Sequence, residues 1–153
     1  MIPVSIVRPG DGELFAGGPL QLRILEDGSN TDHRLGIGLI TVAAHTPGPP
    51  QHRHARHDEG FYVMTGTVRF TVGPDDHDVG AGTWVTVPPG APHTFANPGD
   101  VPAVMLTTFT PDLYVHYFHD IRALVESGQP MNVETMAPIW KNYATEPSDE
   151  YAP

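Results

Sequence analysis

The 153-residue sequence contains no cysteine, which excludes disulfides, thiolate metal sites and cysteine nucleophiles. Cationic residues are also scarce, because 8 Lys+Arg stand against 18 Asp+Glu and give a formal net charge of −10. This balance disfavours nucleic acids and anionic membranes as partners. No apolar run approaches transmembrane length, and the N-terminus lacks the apolar core of a signal peptide. These absences predict a soluble cytoplasmic protein with neither nucleic acid nor a membrane as its partner.

Glycine and proline, in contrast, are abundant and divide the chain into short apolar segments. The 16 glycines and 17 prolines separate runs rich in β-branched and aromatic residues. This pattern is typical of all-β sandwiches and barrels. A hairpin is expected around Gly66, between two of these runs. The predicted strands lie at 20–25, 35–44, 59–65, 67–72, 83–87, 93–96 and 103–109.

After Pro111 the apolar residues follow helical spacing instead. The spacing predicts an amphipathic helix of about four turns that begins near Leu113 and ends near Gly128. A second short helix is expected at 135–143, and a loosely held polar tail at 146–153. Because the sequence shows no internal repeat, we expect a single domain over 1–153, with a barrel at about 20–110 and helices at about 112–145.

Four residues of metal-ligand type lie on predicted strands. His52 and His54 are two residues apart, so their side chains point to the same face of a strand. Glu59 opens the next strand, and His93 comes from a separate one. Histidine nitrogens with one carboxylate suit Fe, Mn, Co, Ni, Cu or Zn and leave coordination positions open for water or substrate. We therefore predict a reactive site with one divalent transition metal per chain.

The segments that contain these residues resemble the two sequence motifs of the cupin family. Residues 52–66 follow the pattern H-x-H-x4-E-x6-G, although Thr46 stands where the family has a leading glycine. Residues 82–97 match G-x5-P-x-G-x2-H-x3-N in full. The resemblance covers roughly residues 20–109. It implies a jelly-roll β-barrel in a small single-domain cupin. It also implies one metal near the barrel axis, bound by His52, His54, Glu59 and His93.

Within the family, the sequence around the first motif resembles bacterial quercetin 2,3-dioxygenase-like cupins, and so does the aromatic helical region that follows the barrel. In that group the glutamate ligand acts as a base toward an acidic hydroxyl of a bound flavonol, and dioxygen opens the ring with release of carbon monoxide. The resemblance implies that Glu59 is both ligand and base, and that O2 is a co-substrate. Similar sequences occur in cupin polyketide cyclases. A non-redox cyclase or isomerase is therefore an alternative, and a small-molecule-binding protein without turnover is another.

Several apolar residues are predicted to face the barrel interior. Phe61 and Phe95 each lie two residues from a predicted ligand and share its face. Together with Val63 they are our candidates for an aromatic-substrate pocket, whereas ordinary core packing is the competing interpretation. The other residues predicted to point inward are Phe70, Trp84 and Leu106.

The remaining histidines are assigned to other roles. His57 is expected to be exposed on a loop rather than to act as a fifth ligand or to contact one. His116 and His119, one helical turn apart, are expected to lie on a helix packed over the barrel rather than to form a metal site. The histidines expected at the surface are His33, His45 and His77.

The apolar run at residues 2–7 is a candidate edge strand. Because an exposed edge strand invites pairing with a second copy, this run predicts a homodimer.

Overall fold

The computed structural model describes residues 4–16, 18–130 and 132–148, which form strands and two helices. The strands are β1 Glu13–Phe15, β2 Leu20–Glu26, β3 Gly36–Val42, β4 His52–His54, β5 Asp58–Thr65, β6 Thr67–Val72, β7 Asp75–Gly80, β8 Trp84–Val87, β9 Thr94–Ala96, β10 Ala103–Thr110 and β11 Thr145–Pro147. The helices are α1 Leu113–Glu126 and α2 Val133–Asn142. The predicted strands and both helices are therefore present, and their bounds differ by one or two residues.

The strands build a jelly-roll β-sandwich, as predicted. A six-stranded sheet has the order β1-β2-β3-β10-β5-β8, and a three-stranded sheet has the order β7-β6-β9. The short strand β4 pairs with β11 and is joined to the start of β9 through a bridge between His52 and His93. This bridge brings two predicted ligands into register.

The core forms where alternate residues of the strands point inward. In β3 and β10 every second residue is buried, as expected for strands with one face toward the core. Phe61, Phe70 and Phe95 pack against one another inside the sandwich. Trp84 and Leu106 were wrongly predicted to point inward. Trp84 is 51% exposed, and Leu106 lies on the outer face of β10 between buried neighbours.

The predicted hairpin around Gly66 is wrong. β5 and β6 belong to different sheets, so the chain changes sheet at Gly66 instead of turning back along the same sheet. Gly66 has a φ of +77°, and an added Cβ would lie 2.8 Å from the Cα of Ala103. A glycine is therefore needed at this corner. β6 pairs with β9 and with β7. The sequence did not predict β7, because its acidic, exposed residues have low strand propensity.

The helices follow β10 and lead back to the barrel. Asn132 caps α2 in a capping box with Thr135. Among the described residues, neither helix is long and apolar enough to cross a membrane. The prediction of a loose tail from residue 146 is wrong in its first part, because β11 pairs with β4.

The proposed N-terminal edge strand falls partly outside the described residues, as do residues 149–153 of the tail. Within the described part, residues 4–7 are exposed and are not assigned to a strand.

Candidate metal centre

Backbone pairing places three of the four predicted ligands side by side. The amide of His52 donates to the carbonyl of His93 at 3.0 Å, and the amide of His93 donates back at 2.8 Å. His54 follows two residues later in β4, on the same face as His52. Glu59 lies in β5, between Val87 of β8 and Phe109 of β10. The strand pattern therefore assembles the predicted set from three separate segments.

One ring nitrogen of each histidine is held by an acceptor on the side away from the centre. Nδ1 of His52 donates to the Pro50 carbonyl at 2.8 Å, and Nδ1 of His93 donates to the Ala91 carbonyl at 3.0 Å. Nδ1 of His54 lies 2.8 Å from Oγ1 of Thr145. This hydroxyl can accept from Nδ1, because it can donate its own proton to the carbonyl of Tyr143 at 3.4 Å. All three rings are thus set with the hydrogen on Nδ1 and a lone pair on Nε2.

The Nε2 atoms of His54 and His93 face the Glu59 carboxylate, which is buried with them. Nε2 of His93 lies 2.9 Å and Nε2 of His54 lies 3.6 Å from Oε2 of Glu59. One ligand atom from each of His52, His54 and His93 lies within 4.8 Å of the others. Nε2 of His54 is buried and has no hydrogen-bond partner among the described residues.

This arrangement fits a metal ion. A lone pair on Nε2 of His93 and a carboxylate oxygen repel each other at 2.9 Å unless a cation, either a proton or a metal ion, is shared between them. Three imidazole nitrogens and one carboxylate are the ligands that transition metals prefer. Histidines that bind metals usually donate their second N–H to a carbonyl or similar group, as all three do here.

Burial and neighbouring groups shift the acidity of the site. Burial lowers the pKa of His54 to about 3, and burial also lowers the pKa of His52. Burial alone would raise the pKa of the Glu59 carboxyl, but contacts with His57 and His93 lower it well below its ordinary value. Near neutral pH the rings of His52 and His54 are therefore neutral and the Glu59 carboxyl is ionised. Few protons then compete with a metal ion.

The prediction that His57 is exposed is wrong. Its side chain is fully buried, and neither ring nitrogen has a hydrogen-bond partner among the described residues. The ring stacks on Tyr114 with centroids 4.8 Å apart and packs against His54. Its Nε2 lies 3.6 Å from Oε1 of Glu59, the oxygen that does not face His93. His57 thus contacts the carboxylate from the opposite side. No local signal indicated this burial, because His57 precedes β5 between two charged residues and is covered by Tyr114 from a distant segment.

Two further residues at the centre were not predicted as site residues. The ring of Tyr114, at the start of α1, lies 4.3 Å from the ring of His54, and burial raises the pKa of its hydroxyl. Thr145 of β11 holds Nδ1 of His54. Both residues come from the segment after the barrel, and the sequence of that segment has no pattern that connects it to the ligand strands.

The three predicted pocket residues are buried next to the centre or in the core beside it. Phe61 lies 6.5 Å from the ring of His93 and 6.0 Å from the ring of Phe95, between centroids. Val63 is fully buried in the same apolar cluster. All three pack as core residues, so their role toward a substrate stays a prediction.

The other histidines lie at the surface or on α1. His45 and His77 are exposed, as predicted, and so is His33. Nε2 of His119 lies 2.7 Å from a carboxylate oxygen of Glu13, so it does not share a ligand set with His116. His116 instead faces Asp112, together with His33.

Comparison with known proteins shows which family the barrel resembles. Residues 38–109, which span β3 to β10 and include all four predicted ligands, match the family model described as Cupin domain. These residues, slightly less than half of the chain, are similar to a cupin domain. No curated protein matches the sequence.

Solved structures with the same fold support this assignment. The polyketide cyclase RemF from Streptomyces resistomycificus is 19% identical with a TM-score of 0.63, covering 71% of this chain and 80% of RemF. KdgF from Halomonas sp. is 15% identical with a TM-score of 0.62, covering 71% of this chain and 94% of KdgF. A sugar phosphate isomerase from Silicibacter pomeroyi is 21% identical with a TM-score of 0.59, covering 69% of this chain and 75% of the isomerase. At these identities the likeness concerns the cupin fold, and the quercetinase-like resemblance stays a prediction.

Proposed function

We propose that this cupin is a metal-dependent enzyme in which His52, His54, Glu59 and His93 bind the metal and Glu59 also accepts a proton from an enolic or phenolic small molecule. The observation that carries the proposal is the pair of buried Nε2 atoms of His54 and His93 that face the ionised Glu59 carboxylate, with a ligand atom of His52 within 4.8 Å of theirs. Such a set is costly to bury without a cation. A bound metal would lower the pKa of a coordinated hydroxyl and orient the substrate.

The two oxygens of Glu59 support a division of roles. Oε2 faces His54 and His93 and is the oxygen placed to bind the metal, whereas Oε1 faces His57. A carboxylate that binds through one oxygen keeps the other available for a proton. The ring of His57, packed against Tyr114 and His54, lies beside Oε1.

Among the reactions open to such a site, we place oxygen-dependent ring cleavage of a flavonol-type aromatic first. The buried aromatic side chains near the site, Phe61 and Tyr114, favour an apolar and planar substrate over a sugar-like one. A redox-neutral cyclisation or isomerisation is the second candidate, because removal of a proton by Glu59 serves it equally well. The metal is proposed to be one of Fe, Mn, Ni, Co, Cu and Zn, with one ion per chain.

Turnover with and without oxygen tests the proposal. Metal-stripped protein is reloaded with each of the six metals and mixed with a panel of flavonols and other enolic aromatics. Loss of substrate absorbance and oxygen uptake are followed together. Oxygen uptake that matches substrate loss supports the dioxygenase, and equal turnover under nitrogen supports the redox-neutral candidate. Binding without turnover for every metal and substrate contradicts an enzymatic role.

The variant Glu59→Gln tests the role of the carboxylate as base. Glutamine has nearly the same shape but cannot accept the proton, so kcat should fall by about 10²- to 10⁴-fold. Glu146→Gln is the matched control, because Glu146 lies near Arg53 and is exposed to solvent. It should keep wild-type activity. A Glu59→Gln enzyme with metal bound and activity near wild type would refute the base.

We further propose that the chain is a single cupin domain, located in the cytoplasm, and that it forms a homodimer. Trp84 and Met64 are exposed on the outer face of the large sheet, and Val4 and Ile6 are exposed near the N-terminus. Burying such side chains against a second copy would remove apolar area from water. Light scattering after gel filtration measures the mass in solution.

A further inference from the structure

A second group of metal-ligand atoms lies outside the barrel, where the loop between β2 and β3 meets the start of α1. Nδ1 of His33, in this loop, lies 2.8 Å from Oδ2 of Asp112. Nε2 of His116, one turn into α1, lies 3.4 Å from the same oxygen. One ligand atom from each residue lies within 4.8 Å of the other two. Donors from two distant parts of the sequence therefore converge on one point.

The carboxylate at the centre of this group is buried rather than solvated. The side chain of Asp112 is only 6% exposed, although it stands at the N-terminus of a helix. It makes no hydrogen bond to the backbone of that helix, so helix capping does not explain its position. Gly28 closes the loop over it, because an added Cβ at Gly28 would overlap the carboxylate. An ionised group removed from water in this way requires a cationic or donor partner.

We propose that His33, Asp112 and His116 form a second metal site, for a divalent transition metal of which zinc is the best fit. Zinc bonds of about 2.0–2.2 Å to nitrogen and oxygen place tetrahedral ligand atoms about 3.3 Å apart. The observed separations of 2.8 and 3.4 Å lie on either side of this value. Two histidines and one carboxylate supply three ligands, and both rings are partly exposed, so water can fill the fourth position.

A metal ion at this site would join the loop at residues 27–34 to the first turn of α1. The same turn carries Tyr114, whose ring packs against His54 of the barrel centre. The outer ion would thus fix the helix that covers the barrel site, and its role would be structural. The proposal stands on its own residues and does not depend on the function proposed for the barrel.

Counting bound zinc in the full chain tests the second site. Metal-stripped protein is titrated with zinc in competition with a chromophoric chelator, for the wild type and for His33→Gln, His116→Gln and His54→Gln. The wild type should bind two equivalents. His33→Gln and His116→Gln should each keep the zinc of the barrel site, and His54→Gln should keep the zinc of the second site. Losing the hydrogen-bond partner of a metal ligand typically weakens metal binding by roughly 10- to 100-fold. Removing one of the three ligands themselves should weaken zinc binding at the second site by more than that.

The matched control is His45→Gln. His45 is an exposed histidine with an aspartate, Asp100, at 3.1 Å, and the described part of the chain offers no third ligand there. This variant should therefore still bind two equivalents. Circular dichroism verifies that each variant is folded.

The number of zinc ions that each variant binds separates the possible outcomes. If His33→Gln and His116→Gln bind as much zinc as the wild type, the group is a hydrogen-bonded cluster only and the second site is refuted. If the wild type binds one zinc and only His54→Gln loses it, the second site is refuted as well. If the wild type binds one zinc that His33→Gln loses and His54→Gln keeps, the second site is supported and the barrel metal centre is contradicted.

Discussion

Replacing Thr145 with valine tests whether the segment after the helices tunes the barrel metal site. Valine keeps the shape of threonine but lacks the hydroxyl that accepts from Nδ1 of His54 at 2.8 Å. Both residues are buried, so no solvent replaces the lost acceptor. A buried donor left without a partner costs about 1–3 kcal/mol, or roughly 5- to 150-fold in an equilibrium constant. Loss of the hydrogen-bond partner of a metal-binding histidine typically weakens metal binding by about 10- to 100-fold. We expect the metal affinity of Thr145→Val to fall within that range.

Competition with a chromophoric chelator measures this affinity. All proteins compared also carry His33→Gln, so that only metal binding at the barrel site is measured. Thr145→Ser keeps the hydroxyl and should bind metal nearly as tightly as the parent. Thr107→Val is the matched control. Thr107 is fully buried and its Oγ1 has no hydrogen-bond partner among the described residues, so this change should leave affinity unaltered. If Thr145→Val binds as tightly as Thr145→Ser, the reasoning from the His54 contact is refuted.

Metal-free protein should lose stability as the pH falls below the ordinary histidine pKa of 6.5, because burial lowers the pKa of His54 to about 3. The unfolded chain then binds a proton that the folded chain does not, which lowers the free energy of unfolding by up to about 1.4 kcal/mol per pH unit. Urea unfolding between pH 7.5 and 5 measures the slope, and a flat profile would contradict a buried neutral ring. Gly48→Ala should destabilise more than Gly82→Ala by the same assay. Both glycines have positive φ, but only at Gly48 would an added Cβ overlap a neighbour, the carbonyl oxygen of Phe95. Equal losses would contradict the overlap.

The convergence of the four proposed barrel ligands was predictable because the two motifs that contain them are local patterns in the sequence. Strand residues alternate between faces, so the spacing of His52 and His54 indicates a shared face without any knowledge of the fold. The spacing of the second motif likewise places His93 after a rigid Pro-Pro-Gly turn. The structure adds the backbone bridge between His52 and His93, which explains why these two segments meet.

The surroundings of the ligands were not predictable because they depend on contacts between distant residues. His57 lies between charged residues and has the local character of a loop, yet Tyr114 from α1 stacks on it and excludes water. The position of Thr145 also depends on a distant contact. Its three-residue strand, β11, forms by pairing with β4. The strand propensity of a local sequence does not indicate which distant strand it pairs with.

The pairing of β11 with β4 has a consequence for how the protein matures. All four ligands precede residue 94, whereas the acceptor for His54 lies at Thr145. In the proposed metal-bound form, a growing chain would have its complete ligand set long before the acceptor for His54 is made. Metal binding and docking of β11 onto β4 would then strengthen each other by the same factor, since linkage between two equilibria is reciprocal. The proposed metal would thus help to hold the last described strand against the barrel.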